Sequence, residues 1–218
     1  MSGTATVAPV SQGPPQMFRG TRIVLSLAML AALIFIAGAA LPYFTLDPNK
    51  FAGYWPRRWW LLLHITAGMV ALLTGPFQVW LGITDRQPQL HRKLGSIYIG
   101  SILVSSTAAV YLALNSDFSW MFSAGLLGLT VAWLTTTGVA FLAIKRQLYD
   151  QHKEWMIRSY VVTTAFVSFR IIFLALSAAG VGTLNEQLTI SSWSCWAVPL
   201  LLTEAILQGR KILAVRPV

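Results

Sequence analysis

Between Arg22 and Asp47 the chain carries no charged residue, and between Arg58 and Asp85 it again carries none. Each gap exceeds the roughly 20 residues a helix needs to cross the hydrocarbon core of a bilayer. In that medium the backbone finds no water, so every N–H and C=O must be satisfied internally, and a helix does this within one segment. Four further apolar runs follow, and the sequence predicts helices over 23–44, 60–82, 95–114, 120–144, 158–179 and 192–208. The balance of residues agrees, with 56% hydrophobic and 11% charged. A soluble domain carries about 25% charged residues because its surface faces water. The expected fold is therefore all-α, a polytopic membrane bundle of about six transmembrane helices.

The first run has a rival reading as a cleaved signal peptide, because Ala37-Gly38-Ala39-Ala40 offers small residues at a cleavage distance. Its apolar core is longer than the usual 7 to 15 residues or so, which favours an uncleaved anchor. Residues 1–18, rich in Pro, Gly, Ser and Thr, are expected to form a disordered tail. Residues 19–209 then make one transmembrane domain, and 210–218 a short second tail.

Orientation follows from the basic residues. One set of segments holds Arg19, Arg22, Arg86, Arg92, Lys93, Lys145, Arg146, Lys153, Arg158, Arg210, Lys211 and Arg216, against Lys50, Arg57 and Arg58 in the opposite loops. The positive-inside rule places the first set, and with it both termini, in the cytoplasm. Trp55, Trp59, Trp60, Trp120, Trp193 and Trp196 gather at the other level, as interfacial indoles do. The net charge of +9 is spread in short clusters between apolar runs. That pattern suits the anionic headgroups of a cytoplasmic leaflet and not a nucleic acid, which needs one basic face. Cys195 is the only cysteine, so an intramolecular disulfide and a cysteine-cluster metal site are both excluded.

Polar residues inside the spans single out three constellations. In the second helix His64, Gly68, Ala71, Gly75, Gln78 and Gly82 recur at spacings of four and three, which puts them on one face. Small residues permit close helix contact, so His64 and Gln78 are expected to point into the bundle, as interhelical hydrogen-bonding residues or as ligand contacts. In the fifth helix His152, Ser159, Thr163, Arg170 and Ser177 form a second stripe. A guanidinium inside the membrane costs several kcal/mol unless compensated. Glu204, the acidic residue inside a span, is the expected partner of Arg170; a site for an anionic or carbonyl-bearing ligand is the alternative. The third constellation places His91 beside Arg92 and His152 near Arg158 at one membrane level. Neighbouring helices there would let the two imidazoles hold one metal or a haem b, with Arg92 or Arg158 pairing its propionates, or bind a quinone carbonyl. A plain solvated basic rim is the competing reading. Phosphate-binding glycine loops, paired-histidine zinc motifs and nucleophile elbows are not found in the sequence.

At these residues the chain resembles the bacterial predicted membrane proteins grouped as domain of unknown function 2306. The resemblance rests on His64 with Gly68, the stretch Thr74-Gly75-Pro76-Phe77-Gln78, HRKLGSIY from His91, HKEWMIRS from His152, and Arg170, covering roughly residues 60 to 175. Lysine follows His152 where the family pattern has arginine, which keeps the charge. The resemblance implies a multi-pass membrane protein, supplies no activity, and marks the three polar constellations as signature positions of one site. Two functions fit these expectations: a haem- or quinone-binding membrane redox protein, or a small anion or solute carrier lined by Arg170 and His64. A scaffold subunit without a ligand is the third.

Overall fold

Apolar runs that must satisfy their own backbone become helices, and the computed structural model, which describes residues 19–84 and 87–214, contains no strand among them. Seven α-helices form: α1 (Arg19–Phe35), α2 (Arg58–Thr84), α3 (Pro88–Leu114), α4 (Trp120–Lys145), α5 (Tyr149–Thr163), α6 (Ala165–Ala178) and α7 (Leu184–Ala214). Five stretches are long and apolar enough to cross a membrane, and α5 with α6 makes a sixth when the bent pair counts as one span. The polytopic helical bundle expected from the sequence is therefore present. The tail expected over 1–18 lies outside the described residues, and α7 continues through Ala214, past the expected helix end at 208.

Of the boundaries that differ from the sequence reading, three have a clear local reason. The span expected over 158–179 is two helices that meet at Thr164 with a bend of 40°. There the Thr163 hydroxyl donates to the Ser159 carbonyl (2.9 Å) and the Thr164 hydroxyl to the Val161 carbonyl (2.7 Å), back-bonding that bends helices. The last helix begins at Leu184, well before 192, because Thr183 and Glu186 form a capping box: the Thr183 amide donates to the Glu186 carboxylate (2.7 Å) and the Glu186 amide to the Thr183 hydroxyl (3.4 Å). And α3 begins at Pro88, which suits the first helical position because its missing N–H would be unpaired there anyway. Downstream of α1 the chain loosens into a π-turn (Ile36–Ala40) and then tightens into a 3-10 turn (Leu41–Thr45), so the first span is not one regular helix.

Helices α2, α3, α4 and α5 make a closed ring of neighbours, in which α2 touches α3 and α5, and α4 touches both α3 and α5. α7 packs against α4, α5 and α6, while α1 leans on α2. The ring is tight where α2 meets α5. A Cβ at Gly75 would stand 2.0 Å from the Tyr160 ring, so only glycine admits this contact. Pro76 lacks an N–H and orphans the Leu72 carbonyl one turn back; the Tyr160 hydroxyl takes that carbonyl at 3.3 Å. Pro76 therefore does not interrupt the helix, and α2 runs from Arg58 to Thr84.

The end of α2, the start of α3, the α4–α5 turn and the end of α7 share one end of the bundle, here the basic end. At the far end, the segment between α1 and α2 folds back over the bundle. Arg57 pairs there with Asp117 of the α3–α4 turn (3.1 Å), and the buried Phe51 ring meets Tyr43 and Trp55 edge to face.

Candidate ligand cavity

Beyond the bend at Thr164, α6 departs from α2 and stays with α7. The gap that opens between α2, α4 and α6, roofed by Tyr43, Phe51 and Tyr54, is a cavity of about 330 Å³. Its walls are largely apolar, and nine of the lining side chains are aromatic rings, among them Phe122, Trp133, Phe166 and Phe169. Two of the polar residues on its wall, His64 and Arg170, were expected in a site from the sequence. A pocket of this size, mostly apolar with a few convergent polar groups, is the usual form of a small-molecule site.

His64 is held by α3. Its Nδ1 lies 3.0 Å from the Ser105 carbonyl and 2.9 Å from the Ser105 hydroxyl, and that hydroxyl donates in turn to the His64 carbonyl (3.1 Å). A carbonyl oxygen only accepts, so Nδ1 carries the proton and the remaining ring nitrogen of the neutral imidazole is an acceptor. Phe166 sits edge-on to the imidazole with centroids 5.3 Å apart. Ser105→Ala removes one side of this clasp and keeps the carbonyl bond. A loss of about 1 kcal/mol is expected, read as earlier thermal exposure of the buried Cys195 thiol to a maleimide dye.

Arg170 stands one turn after Phe166 on α6. Its Nη2 donates to the Tyr43 hydroxyl (3.1 Å), and among the described residues it makes no ion pair. The expected partner, Glu204, belongs instead to Arg158, whose Nε donates to its carboxylate at 2.8 Å. Arg158 lies within 3.7 Å of Glu154 as well, and Lys211 closes the cluster on Glu154 at 2.8 Å. These four charges cancel, and with the Arg158 guanidinium stacked on Trp155 at 4.8 Å they fasten α5 to α7 at the basic end. The reason is rotational: Arg158 and Glu204 face each other across the α5–α7 contact, whereas Arg170, beyond the bend, meets Tyr43 in the 3-10 turn after α1. A linear stripe drawn through both residues ignores that bend.

The remaining expected site residues lie elsewhere. Gln78 donates to the His91 carbonyl (2.9 Å) and ties α2 to α3. The His91 ring packs against Gly82 of α2, Arg92 is exposed, and His152 places its Nδ1 2.9 Å from the Ala140 carbonyl of α4. His91 thus occupies the α2–α3 seam and His152 the α4–α5 seam, on opposite sides of the four-helix ring. Each imidazole is held against its own helix pair, and the structure does not bring the two rings together. The three constellations do not converge on one point. His64 and Arg170 share a cavity, and Gln78, His91, His152, Arg158 and Glu204 join helices at the basic end.

Sequence reasoning missed the roof, Tyr43 and Phe51, and the rings of α4 and α6, because apolar aromatic residues in a membrane span carry no periodic signal. It also missed a buried chain at the core of the ring. Tyr98 of α3 lies 2.9 Å from the Ser159 hydroxyl and 2.8 Å from that of Thr163, both on α5. From α4, Thr137 reaches Ser159 (2.7 Å) and Trp133 Nε1 donates to Thr163 (2.9 Å).

Comparison with curated proteins and with solved structures finds no match. A family model described as a predicted membrane protein (DUF2306) matches residues 61–207, from the first turn of α2 into the second half of α7. Since this is the greater part of the chain and contains both cavity residues, His64 and Arg170, the protein belongs to that family of predicted membrane proteins.

Proposed function

We propose that this membrane protein binds a small, largely apolar molecule with an oxygen-bearing head in the cavity between α2, α4 and α6. The observation that carries the reading is Arg170: a guanidinium at an exposed position of α6, on a largely apolar cavity wall, whose bonded partner is a neutral hydroxyl. A cation so placed, with no carboxylate paired to it among the described residues, favours a carbonyl or anionic head, which its fork of donors fits. The aromatic walls take the body of the molecule. Of the two functions considered from sequence, a carrier and a redox protein, both use such a pocket, and binding is the step they share.

The test fills the space. Gly68 lines the cavity, and a Cβ there meets Phe166 at an ordinary 3.5 Å, so Gly68→Phe puts a ring where the ligand sits. Native mass spectrometry of protein released from nanodiscs is expected to show a retained non-phospholipid molecule in the wild type and none in Gly68→Phe. Equal retention in both, or none in either, overturns the reading.

The same proposal places the basic end at the cytoplasmic face of a bacterial inner membrane, against anionic headgroups, on the strength of the basic asymmetry. Exposed positions at the two ends, Asn49 and Lys153, report it. An impermeant maleimide is expected to label Asn49→Cys in intact cells and Lys153→Cys only after lysis; the reverse pattern inverts the topology. The native Cys195 is buried and stays silent in this assay.

A further inference from the structure

His64 and Arg170 ask opposite things of one molecule. Arg170 and the residue it bonds, Tyr43, offer donors to the cavity. His64 has committed its Nδ1 proton to the Ser105 carbonyl, so the ring nitrogen left over in its neutral form accepts. The two are close: Phe166 meets the imidazole edge to face, and Arg170 follows Phe166 by one helical turn, about 6 Å of rise. A head that only accepts, such as a carboxylate or an oxidised quinone, satisfies Arg170 and places a lone pair against the lone pair of His64. A head that only donates fails at Arg170. What fits is a molecule with a hydroxyl that donates at one point and an oxygen that accepts a few ångströms away.

The aromatic rings around that space narrow the class. Phe122, Trp133 and Phe169 line the α4 and α6 walls. Rings prefer offset-stacked or edge-to-face partners, and each such pair adds about 0.5–1.5 kcal/mol beyond burial. A flexible acyl chain gains no such preference. A planar ring with oxygens at opposite positions spans the distance between a donor and an acceptor on facing walls.

From this pairing of a fixed acceptor with a fixed donor across an aromatic cavity, we infer that the ligand is a hydroquinone-type ring, and that the site prefers the reduced, hydroxyl-bearing form over the oxidised quinone. The inference rests on the cavity being a binding site, as proposed above, and adds the ligand class and its hydrogen-bonding state. It assigns no electron transfer to the chain.

The experiment compares duroquinol and duroquinone, two states of one ring, binding anaerobically to the full protein in nanodiscs by isothermal titration calorimetry. Duroquinol is expected to bind at least tenfold more tightly. Arg170→Gln is expected to weaken both forms by a similar factor, since each offers an acceptor oxygen. His64→Phe is expected to abolish the preference between forms, by weakening duroquinol, which loses its acceptor, and relieving the lone-pair repulsion against duroquinone. Should His64→Phe disturb the α2–α3 clasp, Ser105→Ala is the control: it keeps the Nδ1 bond to the carbonyl and must keep the preference. Equal affinity for the two forms in the wild type, a preference for duroquinone, or a preference that survives His64→Phe overturns the inference. If neither form binds while the wild type still retains a molecule that Gly68→Phe loses, the ligand class is wrong and the cavity reading stands. If neither binds and nothing is retained, both fall.

Discussion

Gly75→Ala is expected to lower the unfolding temperature by roughly 10 °C, an effect out of proportion to one methyl group. The added Cβ would lie 2.0 Å from Cε2 and 2.2 Å from Cδ2 of Tyr160, so the ring must leave its place. Overpacking of this kind costs about 1–3 kcal/mol. The displaced ring also withdraws its hydroxyl from the Leu72 carbonyl, which Pro76 has already deprived of its helical donor. A buried carbonyl left unpaired costs another 1–3 kcal/mol or so. The combined loss, about 3 kcal/mol, corresponds to the stated shift at roughly 2–4 °C per kcal/mol for a chain of this size. Two comparisons isolate the cause. Tyr160→Phe keeps the ring and removes only the hydroxyl, so it should lose about 1–2 kcal/mol. Gly100→Ala, where a Cβ meets nothing within 4 Å, should be neutral or gain up to about 1 kcal/mol from helix propensity. If Gly75→Ala behaves like Gly100→Ala in a Cys195-reactivity melt, α5 does not press on α2 as described.

The same contact shows where sequence reasoning reaches and where it stops. The stripe His64, Gly68, Ala71, Gly75, Gln78 on α2 was legible because small and polar residues at helical spacing contrast with an apolar background, and these residues do face α3, α5 and α6. The identity of the facing residues was not legible, since rotation of one helix about its axis leaves its own periodicity unchanged. That is why Glu204 was assigned to Arg170 although Arg158 holds it. The break at Thr164 went unread for another reason. Neither Gly nor Pro marks it; β-branched residues run from Val161 to Thr164, and the signal is two threonine hydroxyls turned back on their own helix. The start of α7 was legible and passed over, because Thr183-Leu184-Asn185-Glu186 is a capping box lying outside the apolar window. The cavity is a consequence of the break. Without the 40° bend α6 would continue along α2, and His64 and Arg170 would line a packed seam.

That break sits directly beside the buried hydroxyl chain, and the chain has a direction that mutation can read. Thr163 has one hydroxyl proton, and it goes to the Ser159 carbonyl. Thr163 therefore accepts from both Trp133 and Tyr98, so Tyr98 donates to Thr163 and must accept from Ser159, which in turn accepts from Thr137. With all these bonds made at once, no other arrangement of protons satisfies them. Deleting members then costs unequal amounts, because an orphaned buried donor is worse than a vacant lone pair. Thr163→Val keeps the shape but strands two donors, the Trp133 N–H and the Tyr98 hydroxyl, for a loss of about 3–4 kcal/mol at the upper end of such costs. Tyr98→Phe strands one, the Ser159 hydroxyl, for about 2 kcal/mol. Thr137→Val strands none and should cost about 1 kcal/mol. Were the chain to run the other way, Thr137 would be the terminal acceptor and its loss would strand Ser159. Thermal melts of the three variants decide it: the order Thr163, Tyr98, Thr137 supports the stated direction, and a Thr137→Val variant as damaged as Tyr98→Phe reverses it.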